Sequence, residues 1–446
     1  MKKWVRFCEL IDAHRGPLNN LIKARSYSSL LLHPANRSGM GAFMRLTQFL
    51  NSAADTFPNR IASIDGDRQH TWSEWRDRMA RLAAALRGLG MAAGDRVAIL
   101  ALNSDRYAEF LYGVWWAGGA VVPMNTRWSA TENAYSLNDS GAQILFIDRN
   151  LLPMLDAIRA EAKGVRTMVY VGDDDAPEGM LSFEDLVAQN APCEDAQLGG
   201  EELAGLFYTG GTTGFPTGVM LPHRALWYNA IAVAKELRLD RDTRYLHAAP
   251  MFHLADFEFN TAIAMVGGCN VFIPSFEPEA TMNAQETHQV SNMMLVPTML
   301  GMILGHPKFK PERLKMLKSF LYGGSPMPEG LLRQAMQVMP HVNFYQIYGQ
   351  TEMAPIMTVL PPEDHVLDGP KSERLRSAGL PAIGCEIKII DEDGNIVPRG
   401  TVGEIAARSL GAMLGYWQLA EQTEKTLVDG WVQTGDGAYQ DEEGFI

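Results

Sequence analysis

From Met44 onward, short apolar runs alternate with stretches whose apolar residues recur at helical spacing, and no other feature restricts the fold as tightly. Leu46, Phe49, Leu50 and Ala53 fall at i, i+3, i+4 and i+7, one face of a helix. Thr71 and Glu74 make a capping-box pair, which predicts a helix to about Leu89 stopped by Gly90. "DRVAILALN" reads as a buried strand, and "RYAEFLYGVWWA" as a helix ended by Gly118-Gly119. "AVVPMN", "QILFID" and "TMVYVG" follow as further short strands. Strands alternating with helices imply parallel sheets with helices on both faces. A second alternating run covers roughly residues 225–345. From about Gly379 the texture changes, with Asp393-Gly394 between alternating strands, a hairpin signal.

The expected fold class is therefore α/β, with two helix-flanked sheet subdomains and a small β-rich, barrel-like one. The expected divisions are a basic extension over 1–43, a first α/β subdomain over 44–205, a second over 206–350, and the β-rich subdomain over 351–446. A chain of 446 residues is too long for one ordinary core, so about two to four units are the prior.

The formal net charge of -13 argues against nucleic acid, which needs clustered cations. It leaves room for a phosphate ligand held by backbone N–H groups and Mg²⁺. The four cysteines, Cys8, Cys193, Cys269 and Cys385, match no metal or redox spacing and read as inert thiols of a reducing cytoplasm. No apolar run approaches the roughly 18 residues of a membrane span. Residues 1–39 differ in kind, carrying seven Lys/Arg against two acids. A transit peptide, a plain tail and a domain start near Met40 or Met44 all fit that segment.

"YTGGTTGFPTGVM", Tyr208 to Met220, packs four Gly and four Thr into one loop between an apolar strand and a helix expected from about His223. The G-x-x-x-x-G-K-[ST] phosphate loop is absent from it. The stretch is either a flexible turn or a phosphate grip of another design, because glycines let successive N–H groups converge on an anion. "SFLYGGSPM" and "NFYQIYGQTE" likewise leave strands in Gly-containing turns. In open α/β sheets, ligands gather beyond the carboxyl ends of strands.

Further motifs follow in order: "YGGSP" (Tyr322–Pro326), "YGQTE" (Tyr348–Glu352), "GEIAARSLGAMLGYW" (Gly403–Trp417) and "WVQTGD" (Trp431–Asp436). Singly, a Tyr-Gly or Thr-Gly-Asp turn is only a turn. Together, over about residues 45–446, the chain resembles the adenylate-forming superfamily of acyl-CoA synthetases, aryl-CoA ligases, luciferases and peptide-synthetase adenylation domains. The resemblance is to the large N-terminal domain of an acyl-CoA synthetase, and it implies ATP, Mg²⁺ and CoA as co-substrate.

By that resemblance, Thr209, Gly210, Gly211, Thr212, Thr213 and Gly214 wrap the β- and γ-phosphates. Glu352 is the Mg²⁺ ligand, a hard oxygen donor suited to an ion that also binds phosphate, with Thr209 beside it. Thr351 gives its hydroxyl to the α-phosphate. Tyr348 and Gly349 flank adenine, Gly323, Gly324 and Ser325 complete that pocket, and Asp436 accepts from the ribose hydroxyls. Thr351, Glu352 and His253 are the implied catalytic set.

"PMFHLADF" bears on the acid. An isolated His on an apolar stretch is ordinarily a satisfied core residue. By resemblance, Phe252, His253, Val296 and Gly324 line the acyl pocket. Amino-acid-activating relatives usually read Phe-Asp where this chain has Phe252-His253. Apolar "MMLVPTMLGMIL" either walls that pocket or is core. The activity implied is ATP-dependent conversion of a fatty acid to acyl-AMP and then acyl-CoA. An aryl acid is the alternative substrate, and a nucleotide-binding homologue without turnover the alternative class. The partners implied are the small acid, ATP and CoA, with no nucleic acid and no membrane-spanning segment; the sequence leaves a homodimer open.

Two features depart from the family pattern. Pro216-Thr217-Gly218 stands where the family usually has Pro-Lys-Gly. The sequence also ends at "DGAYQDEEGFI", where the family continues through a hinge into a small domain bearing a catalytic Lys. The expectation is a truncated form that binds ATP but forms adenylate and acyl-CoA slowly.

Overall fold

The computed structural model describes residues 43–210 and 215–446. The expectations for residues 1–39 and for Gly211, Thr212, Thr213 and Gly214 lie outside the described residues.

Two mixed sheets and one small antiparallel sheet organise the chain. The first has eight strands in the order 415–416, 217–222, 203–209, 120–123, 96–100, 144–148, 167–171, 181–182. From Leu203–Thr209 to Leu181–Ser182 every neighbour is parallel. Ala120–Pro123 and Ile144–Asp148 are buried along their whole length, as expected of strands covered on both faces. The second sheet has nine strands, in the order 380–381, 356–360, 343–349, 319–323, 292–295, 244–247, 269–272, 61–65, 68–71. The third orders 386–390, 403–408, 431–438 and 427–428, all antiparallel. This is the α/β architecture with a small β-rich part that the sequence pattern called for.

Local signals translate directly. Phe49, Leu50 and Ala53 are buried on the helix Thr47–Thr56. Thr71 and Glu74 form the reciprocal capping box of the helix Trp72–Gly88. The helix Asp105–Ala117 ends at Gly118, whose φ of 93° is left-handed.

Sheet membership cuts across chain order. The strand Leu203–Thr209 runs through the expected division at 205/206 and pairs with Ala120–Pro123. The hairpin 61–71 closes the far edge of the nine-stranded sheet. Between the Gly/Thr loop and the helix His223–Glu236 lies a strand, Thr217–Pro222, where the sequence suggested loop running straight into helix. It pairs antiparallel with Leu203–Thr209, in register from Thr209 opposite Thr217. Gly218 and Pro222 disguise it in one dimension; its hydrogen bonds come from a partner strand.

Two polar contacts lock the sheets together near their carboxyl ends. The Arg68 guanidinium, on the hairpin of the nine-stranded sheet, reaches Asp105 at 3.0 Å and Asp173 at 2.7 Å, both following strands of the other sheet. Asn103 Nδ2 donates to His247 O at 3.2 Å and Ala249 O at 2.8 Å, and its Oδ1 accepts from Met251 N at 2.8 Å. The helix Asp105–Ala117 packs on strands of both sheets, and every one of its residues is buried. Its Glu109 is accordingly paired with Arg78 at 2.6 Å, as a buried charge must be. Among the described residues no helix is long and apolar enough to cross a membrane.

Candidate active site

Strand ends build a cleft of about 570 Å³. The strand Leu203–Thr209 delivers Thr209 to it. The strand Asn343–Gly349 delivers Gly349, and the short turn Thr351–Met353 delivers Thr351 and Glu352. A Cβ on Gly349 would stand 1.8 Å from Pro355 O, and one on Gly323 would stand 2.3 Å from Ile347 O. Only glycine lets these strands and turns approach so closely.

The rest of the lining comes from the last part of the chain and includes Glu404, Tyr416, Lys425, Gln433 and Thr434. The strand Gly415–Tyr416 pairs with Met220 and Val219, immediately after the Gly/Thr loop. That pairing brings Tyr416 Oη to Glu352 Oε1, where it donates at 2.8 Å. Met413 N also donates to Glu352 O at 2.9 Å, so both the backbone and side chain of Glu352 are held. Burial, and then the Glu352 charge, raise the Tyr416 phenol above its ordinary range, keeping it a donor at neutral pH. Glu352 Oε2 takes no hydrogen bond from a described residue. One carboxylate oxygen beside the hydroxyl-bearing Thr209 and Thr351 is a hard oxygen set, and it fits Mg²⁺.

Asp436 lies one residue beyond the lining residue Gly435. Tyr348 Oη donates to its Oδ2 at 2.7 Å and Gln350 Nε2 to the same oxygen at 2.9 Å. Gln350 Nε2 also reaches Thr434 O at 2.8 Å. Burial first, then Asp436, push the Tyr348 phenol up. The second oxygen of Asp436 faces no described donor, leaving it able to accept from a diol.

The expected acyl-pocket residues fall elsewhere. A Cβ on Gly324 would lie 3.7 Å from Val296 Cγ1, so these two are neighbours. The Phe252 and His253 rings stand 4.3 Å apart. His253 begins the helix Leu254–Val266, whose Phe257 N donates to His253 O. Desolvation by its neighbours, then the charge of Arg127, push the His253 imidazole down to about 4. The residue is exposed at its edge, so solvent screens part of that depression. The cleft thus gathers Thr209, Gly349, Thr351 and Glu352, but Phe252, His253, Val296, Gly323, Gly324 and Ser325 do not line it. In "MMLVPTMLGMIL", Met293, Leu295, Leu300 and Ile303 belong to the core, and Met302 is the exposed one among its large apolar residues.

Three participants escaped the sequence reading. Tyr416 lies inside the quoted "GEIAARSLGAMLGYW", but its target is 64 residues earlier. Gln350 stands between Gly349 and Thr351 in the quoted "YGQTE" and is given no role there. Asn103 sits in a loop far from the segment it fixes, the one leading to Phe252-His253.

Residues 50–417 match the family described as AMP-binding enzyme. The chain is 30% identical over 406 residues to the indoleacetate–CoA ligase of Aromatoleum aromaticum, spanning 90% of this chain and 78% of the relative. It is 32% identical over 416 residues to the long-chain-fatty-acid–CoA ligase of Thermus thermophilus, spanning 90% and 76%. The inhibitor-bound N-terminal domain of FACL13 from Mycobacterium tuberculosis superposes with a TM-score of 0.82 at 28% identity, over 90% of this chain and 98% of that domain. The two-sheet scaffold with a small antiparallel sheet is that of the N-terminal domains of this family. The chain belongs to the AMP-binding enzyme family, among acid–CoA ligases.

Proposed function

We propose that the protein activates a fatty acid with ATP, forming acyl-AMP and pyrophosphate, and passes the acyl group to the thiol of CoA. The carrying observation is the convergence of Thr209, Thr351 and Glu352 on one cleft, with Asp436 held beside it. A carboxylate is a poor electrophile because its charge repels a nucleophile. Its oxygen attacks the α-phosphorus, pyrophosphate departs, and the mixed anhydride that results is open to thiolate attack at the carbonyl carbon.

Each of these residues has a part in this. Glu352, oriented by Tyr416, would hold Mg²⁺, which when bound would offset the phosphate charge. Thr351 donates to the α-phosphate as charge gathers there. Asp436, fixed through one oxygen by Tyr348 and Gln350, accepts from the ribose with the other. Thr209 and Gly210 begin the grip on the β- and γ-phosphates.

Phe252-His253, in place of Phe-Asp, supports an acid without an α-amino group. The fatty-acid ligase of Thermus thermophilus supports an aliphatic acid, and the indoleacetate ligase of Aromatoleum aromaticum supports the second reading, an aryl acid. Acid-dependent ATP–pyrophosphate exchange across a carboxylate panel tests this. Fatty acids are expected to exceed amino acids, gaining up to about 0.8 kcal/mol per buried methylene until the pocket is full. Equal or better exchange with a free amino acid removes the substrate assignment, and no exchange with any acid removes the enzymatic one.

A further inference from the structure

The cleft has an electrostatic gap. Its described lining includes the carboxylates of Glu352 and Glu404 but a single cation, Lys425. A polyphosphate beside two carboxylates meets like charge, which a further cation would offset. Position 217, where the family pattern has its loop Lys, is a threonine 7% exposed inside a strand. The loop strand therefore sends no ammonium into the site from that position.

Lys425 lines the same cleft as Thr209 and Glu352, on the helix Ala420–Thr426. That helix is tied to the strand that orients Glu352: Tyr416 N donates to Thr423 Oγ1 at 2.9 Å, and Thr423 Oγ1 donates to Leu419 O at 2.9 Å. A Cβ on Gly415 would meet Thr423 Cγ2 at 2.6 Å, so strand and helix are in close contact. The base of the Lys425 side chain is thus fixed relative to Glu352. Its ammonium is exposed; the lysine ion pairs among the described residues are Lys235–Glu236 and Lys308–Glu279, so none engages it. A lysine with a fixed base and no ion-pair partner among the described residues, lining an otherwise acidic cleft, is suited to an anion.

We propose that Lys425 is the phosphate-binding cation of this cleft, meeting the pyrophosphate end of ATP in place of a loop lysine. The assignment rests on the function proposed above and names the residue through which the departing pyrophosphate is held. Lysine acts here as a point charge with three rotatable donors, so arginine is expected to substitute and glutamine to fail.

The test compares wild type, Lys425→Gln and Lys425→Arg as full chains, by calorimetric titration with magnesium pyrophosphate and separately with AMP. Lys425→Gln is expected to weaken pyrophosphate binding by about tenfold and leave AMP binding unchanged, while Lys425→Arg stays within about twofold of wild type. In exchange assays the KM for ATP should rise by a similar factor and the KM for the acid should not. Unchanged pyrophosphate affinity in Lys425→Gln overturns the assignment, as does equal weakening of pyrophosphate and AMP, which marks a structural role. A wild type that binds pyrophosphate through Lys425 yet catalyses no exchange supports this inference and defeats the reading of function.

Discussion

Tyr416 donates its phenolic hydrogen to Glu352 Oε1 at 2.8 Å, joining a two-residue strand near the end of the chain to the carboxylate that faces Thr209. The contact fixes which Glu352 oxygen is spoken for and which is free for metal. Glu352→Gln keeps the shape and removes the charge, so adenylate formation should fall by about 10²-fold or more. Tyr416→Phe removes only the orienting hydrogen bond, and should weaken Mg²⁺ activation by about 10–100-fold. Rates measured against Mg²⁺ concentration separate the two: saturating metal should recover much of the Tyr416→Phe loss and none of the Glu352→Gln loss. A Glu352→Gln enzyme as fast as wild type would contradict the metal assignment.

Asn103 makes three hydrogen bonds to the segment His247–Met251, two donated and one accepted. Asn103→Ala leaves Ala249 O and Met251 N without partners and His247 O with only Ile273 N at 3.4 Å, costing about 2–4 kcal/mol in urea unfolding. Because that segment leads into Phe252-His253, the KM for the acid should rise several-fold at temperatures where the variant is folded. The KM for ATP should hold steady, and a parallel rise in both would assign Asn103 to general stability alone.

Glu258 is buried, accepts from Asn229 Nδ2 at 2.6 Å, and is pushed up to about 8 from an ordinary 4.5, chiefly by desolvation. In the folded protein it holds its proton where the unfolded chain has lost it. Its contribution to stability is therefore complete below about 4.5 and is lost as pH rises to about 8. Glu258→Gln keeps an acceptor for Asn229 and has no proton to lose. The variant should melt higher than wild type at pH 8, with the gap shrinking toward pH 5. A gap that is constant with pH would show that the carboxyl does not titrate in this window.

Thr217 is buried in the strand Thr217–Pro222 and faces Thr209 across the pair. Thr217→Lys must find room for a longer, charged side chain, so it should cost about 1–3 kcal/mol by thermal unfolding. A variant as stable as wild type with tighter pyrophosphate binding would mean the side chain escapes the strand into the cleft.

The alternation of apolar runs and helical faces, the Thr71–Glu74 cap and the Gly118 stop determined the α/β class and most of its elements, because these are short-range effects of backbone geometry and side-chain spacing. The Gly/Thr loop and the Tyr-Gly turns likewise marked which strand ends would carry chemistry, since only glycine tolerates approaches such as Gly349 against Pro355. What the linear chain could not contain is partnership. The strand Thr217–Pro222 exists because Leu203–Thr209 supplies its hydrogen bonds. Gly415–Tyr416 joins that sheet by pairing with residues nearly two hundred positions earlier, which places Tyr416 on Glu352 and Lys425 in the same cleft as Thr209. Register between distant strands is set by cooperative burial of both sheets, a property of the whole core. The residue types of the site were thus written locally, while which oxygen is held, which is free and which cation faces them were decided only when the sheets closed.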